Sequence, residues 1–355
     1  MNDTYDFLVI GQGIAGTVFC SMLENRGKSF KIIDQFNPHS SSQVAAGLIN
    51  PVTGRRIVKS WKADVAIPFA KEYYEKIEAQ FNQTFFHSID ALEVTSSIHE
   101  WNEWNRRMDE QTMSNYLNDV APNELYRTTI KEFVKLVRIT SSGWLDVKSF
   151  TSTFRNYWEG KSILLNEPFV VNELDFQNDT FVYQGNHFQS VIFCEGYKCL
   201  ENKFWDSIPL VPAKGEIATI QCEDLSQNFI LLCGMFFIPI GNHQFRCGAT
   251  YEWKFDNEFP TDEGKLKLEK MIGEVLKCDW KMINHTSGVR PTVRDRRPII
   301  GAHPEHKNLF IFNGMGTKGV MLAPYFSNHF IEHLLDGKAL DKEVDVSRFL
   351  KMELK

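Results

Sequence analysis

At 355 residues, the chain is long enough for two domains, or for one domain carrying a large insertion. Hydrophobic residues at 43% and charged residues at 24% exclude a disordered or fibrous protein, and a net charge of −6 offers no basic face to nucleic acid or to an anionic membrane. No apolar run reaches the length of a membrane span, and the N-terminus MNDTYDFLVIGQG lacks the basic stretch of a secretory leader, so neither is expected. Seven cysteines, an odd number with no CxxC pair, fit reduced and mostly buried thiols in the cytoplasm better than disulfides or a zinc site.

The first elements form one recognisable unit. Tyr5 to Ile10 is an apolar run that reads as a buried strand, and Gly11-Gln12-Gly13-Ile14-Ala15-Gly16 follows at once. Ile14, Ala15, Val18, Phe19, Met22 and Leu23 then repeat at helical spacing up to Gly27, and a second strand, Phe30 to Ile33, ends in Asp34. In such a β-α-β unit the first glycine allows a tight turn, the second lets backbone approach a pyrophosphate, and the third lets helix and strand pack closely. The helix N-terminus presents unpaired N–H groups to the phosphates. Asp34 stands where an acid accepts hydrogen bonds from a ribose hydroxyl. The spacing therefore predicts a dinucleotide site.

Helices are expected from Pro68 to Phe81 and from Ile98 to Met108, with Tyr73, Tyr74, Trp101 and Trp104 as packing residues. Strands are expected at Ile163–Asp175, Thr180–Gln184, Val191–Gly196, Glu216–Gln221, Phe229–Ile240 and Phe245–Tyr251. A second GxGxxG, Gly314 to Gly319, follows the strand-like Leu309–Phe312, but no strand ending in an acid comes after it. It reads as a glycine loop feeding a helix that starts at Pro324, presents Phe326, Phe330, Ile331, Leu334 and Leu335, and stops near Gly337. No repeat or Pro/Ser-rich linker separates the two domains, so they are expected to interleave.

Four separated segments then match one family in order: GQGIAG with Asp34, SSQVAAGLINP (41–51), GVRPTVRDRRPIIG (288–301) and NGMGTKGVMLAP (313–324). PAKGE (212–216), IPIGNHQFRCGAT (238–250) and the strand ending at Gly196 add support. On these motifs the chain resembles the glycine oxidase/D-amino-acid oxidase family of FAD-dependent oxidoreductases. The resemblance implies an α/β fold, α+β overall, in which a Rossmann-type FAD-binding domain (1–80, 145–205 and 285–355) is interleaved with an antiparallel-sheet substrate domain (81–144 and 206–284). By position, Gly11, Gly13, Ile14, Ala15 and Gly16 would hold the pyrophosphate, and Asp34 with Gln35 the adenosine ribose. The strand around Phe169 and Val170 would meet adenine through its backbone. Ser42, Ala45, Ala46, Gly47 and Leu48 would lie along the flavin, with Gly196, Gly314, Gly316, Thr317, Lys318, Gly319 and Val320 completing the site.

The resemblance also implies a non-covalent flavin, because relatives that attach it use a His just before the AAGL loop or a Cys at the start of the GxRP segment. Here those positions are Val44 and Gly288. Arg290 is implied to pair with a substrate carboxylate, the other reading being an ion pair with Asp295 or another acid. Tyr251 and Lys318 are further substrate contacts. No general base is implied, since flavin N5 does the chemistry, and His285, His303 and His306 are read as packing or surface residues. Met315, Thr317 and Lys318 depart from the His or Arg of several relatives. The basic stretch Arg55, Arg56 and Lys59 is either a solvated turn or a wall for a dicarboxylate or phosphate-bearing substrate. The implied activity is oxidation of the C–N bond of a small amino acid or secondary amine. The alternatives are oxidation of a carboxymethylaminomethyl group on tRNA, as in the oxidase half of the bacterial bifunctional tRNA-modifying enzyme, a hydroxy-acid dehydrogenase, or a flavin binder without turnover. The partner expected is a small-molecule substrate and not a nucleic acid.

Overall fold

A computed structural model describes residues 3–53, 56–120, 124–177 and 180–350. The chain forms two compact units, each assembled from separated segments. Unit 1 takes residues 1–43, 147–213 and 289–355, and unit 2 takes 44–146 and 214–288.

Unit 1 is built on a mostly parallel sheet of β1 (Thr4–Ile10), β2 (Phe30–Ile33), β3 (Leu164–Leu165), β4 (Asp175–Gln177), β5 (Thr180–Tyr183), β6 (Asn186–Phe193), β7 (Ile299–Ala302) and β8 (Leu309–Asn313). Its order is β3-β2-β1-β6-β5-β4, with β8 also pairing β6 and β7 pairing β8. Along its length β6 changes neighbours on one side: Phe188 pairs Phe181 of β5, whereas Val191 to Phe193 pair Leu309 to Ile311 of β8. Parallel strands covered on both faces need apolar residues at successive positions, and Phe7 to Ile10, Val191 to Phe193 and Leu309 to Phe312 are all buried. Three helices matter here: α1 (Ile14–Asn25), α2 (Val147–Gly160) and α3 (Gly319–Asp336). Phe19 of α1 joins them to the sheet, its ring lying 5.6 Å from Phe312 of β8 and 5.6 Å from Phe330 of α3.

Unit 2 is organised by a second sheet. The strands run in the order Lys281–Arg290, Ala213–Gln221, Gln244–Gly248, Phe236–Pro239, Ile230–Leu232, Ala91–Thr95, Lys135–Ile139 and Leu117–Val120. From Ala213–Gln221 to Leu117–Val120 the pairings are antiparallel except Ile230–Leu232 against Ala91–Thr95, which is parallel. A small sheet joins Leu48–Ile49 to Gly143–Leu145 and Phe86–Ser88. These pairings place residues 44–80 in unit 2, whereas the sequence reading assigned them to the cofactor domain.

Four local expectations change. The helices expected to begin at Pro68 and Pro324 begin earlier, at Ala63 and Gly319, with the proline inside each. Burial of Ala63, Ala66 and Ile67 in one, and of Val320, Met321 and Leu322 in the other, holds the extra turn despite the lost N–H. Ile163–Asp175 is not one strand: β3 covers Leu164–Leu165, and a 3₁₀ turn at Val171–Glu173 follows Pro168. Phe229–Ile240 is a hairpin of Ile230–Leu232 and Phe236–Pro239. Among the described residues no helix is long and apolar enough to cross a membrane. The seven cysteines are free thiols.

Candidate functional site

The glycine turn between β1 and α1 is dictated by close packing. Gly11 has φ +98°, and a Cβ there would sit 2.6 Å from the carbonyl oxygen of Cys194 at the end of β6. A Cβ on Gly16 would overlap the carbonyl oxygen of Gly11 and stand 3.3 Å from Cys194 Cβ. The turn is thus wedged between β6 and the start of α1, which brings backbone, not side chains, to the cavity in front of it. That cavity, about 160 Å³, lies wholly within unit 1; Gly11, Gly13, Ile14, Ala15, Asp34, Gln35, Ser42, Gly196, Gly316 and Gly319 of the expected residues line it. Gly16 serves by packing behind the turn.

Asp34 ends β2 and is held from two sides. Its Oδ2 accepts the backbone N–H of Gln12 at 2.8 Å, and its Oδ1 accepts Arg155 Nη1 at 2.7 Å. Arg155, on α2 and 8% exposed, also donates to Gln12 Oε1 (3.0 Å), to the Asp34 carbonyl oxygen (2.8 Å) and to Asn166 Oδ1 (2.9 Å). A charge-assisted network of this kind sets the orientation of the carboxylate. Each carboxylate oxygen has more than one acceptor site, so capacity remains for ribose hydroxyls. Ser42 sits at the helix start, where its Oγ accepts the N–H of Ile14 at 2.9 Å. Backbone N–H groups at a helix start, a ribose-type acid and Cβ-free walls together fit the phosphates and adenosine of FAD.

The remaining expected residues fall elsewhere. Ala45, Ala46, Gly47 and Leu48 lie in unit 2, where Gly47 O accepts Leu145 N–H at 3.0 Å. Leu48 lines a cavity of about 760 Å³ within that unit, whose wall carries Glu93, Glu100, Glu103, Glu132, Glu274 and Lys131. Burial, reinforced by the Glu100 charge, lifts the Glu93 carboxyl to about 8. Val170 is 41% exposed, lies outside the unit 1 cavity, and donates its N–H to Tyr183 Oη at 3.1 Å. Gly314 and Val320 are buried beside the cavity wall, and Thr317 is exposed. Lys318 directly precedes α3; burial, then the charges of Arg296 and Arg297, lowers its ammonium to about 8.

Arg290 is half-buried at the end of the strand Lys281–Arg290. Asp295, its alternative partner in the sequence reading, instead accepts Arg348 Nε at 2.9 Å. Tyr251 is 43% exposed, its ring 4.8 Å from that of Trp253. His285 Nε2 lies 2.6 Å from the buried Glu216, and His303 and His306 pack among Phe204, Trp205 and Phe176. Of the basic stretch, Lys59 pairs with Asp64 at 2.6 Å, the Arg56 carbonyl oxygen accepts Arg107 Nη2, and Arg55 lies outside the described residues. Sequence reasoning missed Gln12, Arg155, Glu195 and Asn313 as lining residues. Arg155 follows Phe154 on the buried face of an amphipathic helix, a pattern that marks the face without naming the partners of the arginine.

The sequence profile described as FAD dependent oxidoreductase matches residues 6–332. A relative from Marinobacter nauticus, the tRNA 5-methylaminomethyl-2-thiouridine biosynthesis bifunctional protein MnmC, is 22% identical over 394 residues, covering 99% of this chain and 59% of its own. The chain therefore spans less than two thirds of that relative. Among solved structures, glycine oxidase from Geobacillus kaustophilus superposes with a TM-score of 0.80 at 16% identity, covering 98% of each chain. Iminodiacetate oxidase from Chelativorans sp. gives 0.78 at 19% identity, covering 97% of this chain and 98% of the other.

Proposed function

The chain belongs to the DAO family of FAD-dependent oxidoreductases, and from that membership we propose that it oxidises the C–N bond of a small amine that carries a carboxylate, an amino acid or an N-carboxymethyl amine. The observation that carries the substrate half of this reading is Arg290 in Gly288-Val289-Arg290-Pro291, half-buried at the end of the strand Lys281–Arg290. A planar guanidinium makes two parallel bonds to a carboxylate and so fixes its rotation as well as its position. FAD, when bound, accepts a hydride from the carbon bearing the amine, leaving an imine that water hydrolyses. The protein's part is positional. The glycine turn and the start of α1 hold the phosphates, Asp34 with its Arg155 partner holds the ribose, and Arg290 orients the substrate carboxylate.

A second reading, oxidation of a carboxymethylaminomethyl group on tRNA, is supported by the match of 99% of this chain to 59% of the bifunctional tRNA protein. A net charge of −6 offers no basic face to a polyanion and favours the small-molecule reading. Anaerobic bleaching of the flavin by a panel of amino acids, N-carboxymethyl amines, hydroxy acids and modified tRNA tests both. Bleaching by the first two classes is the expected result. Bleaching by tRNA alone, or by hydroxy acids alone, overturns the proposal.

The flavin is expected to be held without a covalent bond. Val44 is buried and offers no nucleophile, Gly288 has no side chain, and no cysteine follows Cys278. Acid precipitation should release all the yellow colour to the supernatant, at about one FAD per chain. Colour kept in the pellet would contradict the assignment of both positions.

A further inference from the structure

Two cysteines 56 positions apart in the chain meet within unit 2: Cys222 Sγ and Cys278 Sγ lie 3.4 Å from each other. Cys222 directly follows the strand Ala213–Gln221, and its N–H donates to His243 O at 2.9 Å, which continues the ladder with Gln244–Gly248. It is 1% exposed, in the apolar core with Ala218, Ile220, Phe245 and Leu268. Cys278 lies between the helix Asp262–Val275 and the strand Lys281–Arg290, flanked by the exposed Lys277 and Asp279. Its thiol is half-buried and stands 3.7 Å from Thr129 O.

A disulfide bond is about 2.05 Å long, so closing one here asks the two sulfurs to approach by about 1.4 Å. The ladder fixes Cys222, whereas Cys278 sits outside any helix or strand and can supply that movement. Solvent reaches the second residue and not the first. Such a pair combines an accessible thiol that can be oxidised with a buried thiol that can resolve the product. We propose that Cys222 and Cys278 form a modification site, a dithiol that hydrogen peroxide converts into an intramolecular disulfide.

The chemistry balances in two steps. The Cys278 thiolate attacks one peroxide oxygen, the O–O bond breaks, and the sulfur becomes a sulfenic acid while the other oxygen leaves as hydroxide and is protonated to water. The Cys222 sulfur then attacks the sulfenic sulfur, the S–O bond breaks, and the hydroxide leaves as water with the Cys222 proton. Two thiols lose two electrons, and one peroxide is reduced to two waters. Burial, then the hydrogen bond and charge of Cys222, with Asp224 adding to them, holds the Cys278 thiol above its ordinary range. Thiolate is therefore scarce at neutral pH, and closure is slow there. The other five cysteines should stay reduced: Cys20, Cys194, Cys199 and Cys247 are buried, and Cys233 Sγ donates to Met235 O at 3.8 Å.

The test incubates the whole FAD-loaded chain with hydrogen peroxide for several hours in mild alkali, where the thiolate is more abundant. Thiols titrated after unfolding should fall by two from the seven of the sequence, and the mass should drop by about 2 Da, the two hydrogens lost. Peptide mapping should join the Cys222 peptide to the Cys278 peptide, and dithiothreitol should restore all seven thiols. In Cys222→Ala no disulfide should form, and Cys278 should instead be trapped by dimedone as the sulfenic acid. In Cys278→Ala, Cys222 should remain a thiol. The proposal is overturned if the wild-type protein keeps seven thiols, closes a disulfide between other cysteines, or gains oxygen on Cys278 while Cys222 stays free. These wild-type outcomes decide the matter even where a variant fails to fold, and none depends on turnover or on the identity of the substrate.

Discussion

Gly16→Ala is expected to leave a protein that binds FAD at least about 100-fold more weakly or does not accumulate in folded form. The added methyl would overlap the carbonyl oxygen of Gly11 and approach Cys194 Cβ at 3.3 Å. Neither neighbour can yield cheaply, because one is backbone and the other is anchored by the β1–β6 ladder, where Cys194 N–H donates to Ile10 O at 2.7 Å. Relief requires α1 to move off β1, and overpacking of this kind costs about 1–3 kcal/mol even where only side chains shift. The same movement withdraws the start of α1 from the phosphate position, so affinity suffers beyond stability. The flavin-to-protein absorbance ratio after gel filtration, together with the Kd of any folded fraction, checks this. A Gly16→Ala protein that holds one FAD per chain with unchanged Kd would show that the helix start does not carry the phosphates.

Arg290→Ala is expected to lower kcat/KM for carboxylate-bearing amines by about 30- to 1,000-fold, the equivalent of losing roughly 2–4 kcal/mol of charged hydrogen bonding. For the matching decarboxylated amines it should change little, because they have no group for the guanidinium to hold. Arg290→Lys should recover only part of the loss, since a point charge attracts a carboxylate without fixing its plane. The variant's FAD content serves as the internal control. If it keeps FAD and still prefers the carboxylate compound as strongly as the wild type, Arg290 is not the carboxylate anchor.

How far the sequence foretold this arrangement depended on how local each feature is. The GQGIAG turn, its flanking strand and helix, and Asp34 lie within about thirty residues, and each glycine answers to a neighbour inside or beside that unit. Arg155 was invisible because its partners, Asp34 and Gln12, are 121 and 143 residues away in the chain. Glu195 was passed over as the residue before a glycine, since only the fold brings the end of β6 against Gly11. The two misplaced helix starts share one cause. Proline favours the first helical position, but burial of Ala66 or of Val320 and Met321 outweighs one missing hydrogen bond. In the run from Phe229, Gly234 carried the turn signal, yet continuous apolar character on both sides masked it. The strand expected through Val170 is absent for the opposite reason: Pro168 breaks a run whose apolar residues suggested continuity.

The interrupted course of unit 1 has a consequence for how the protein is made. β1 is made well before its partner β6, which begins at Asn186, and β6 in turn pairs with β8 at Leu309–Asn313. At about 5–20 residues per second, roughly 300 residues separate the emergence of the glycine turn from that of β8, an interval of about 15–60 seconds. During it the apolar strand Phe7–Ile10 has β2 as a neighbour but gains β6 only when Asn186–Phe193 emerge, and the walls supplied by Asn313, Met315 and Gly319 do not yet exist. The complete wall of the FAD cavity is therefore assembled only after β8 and the start of α3 have been made.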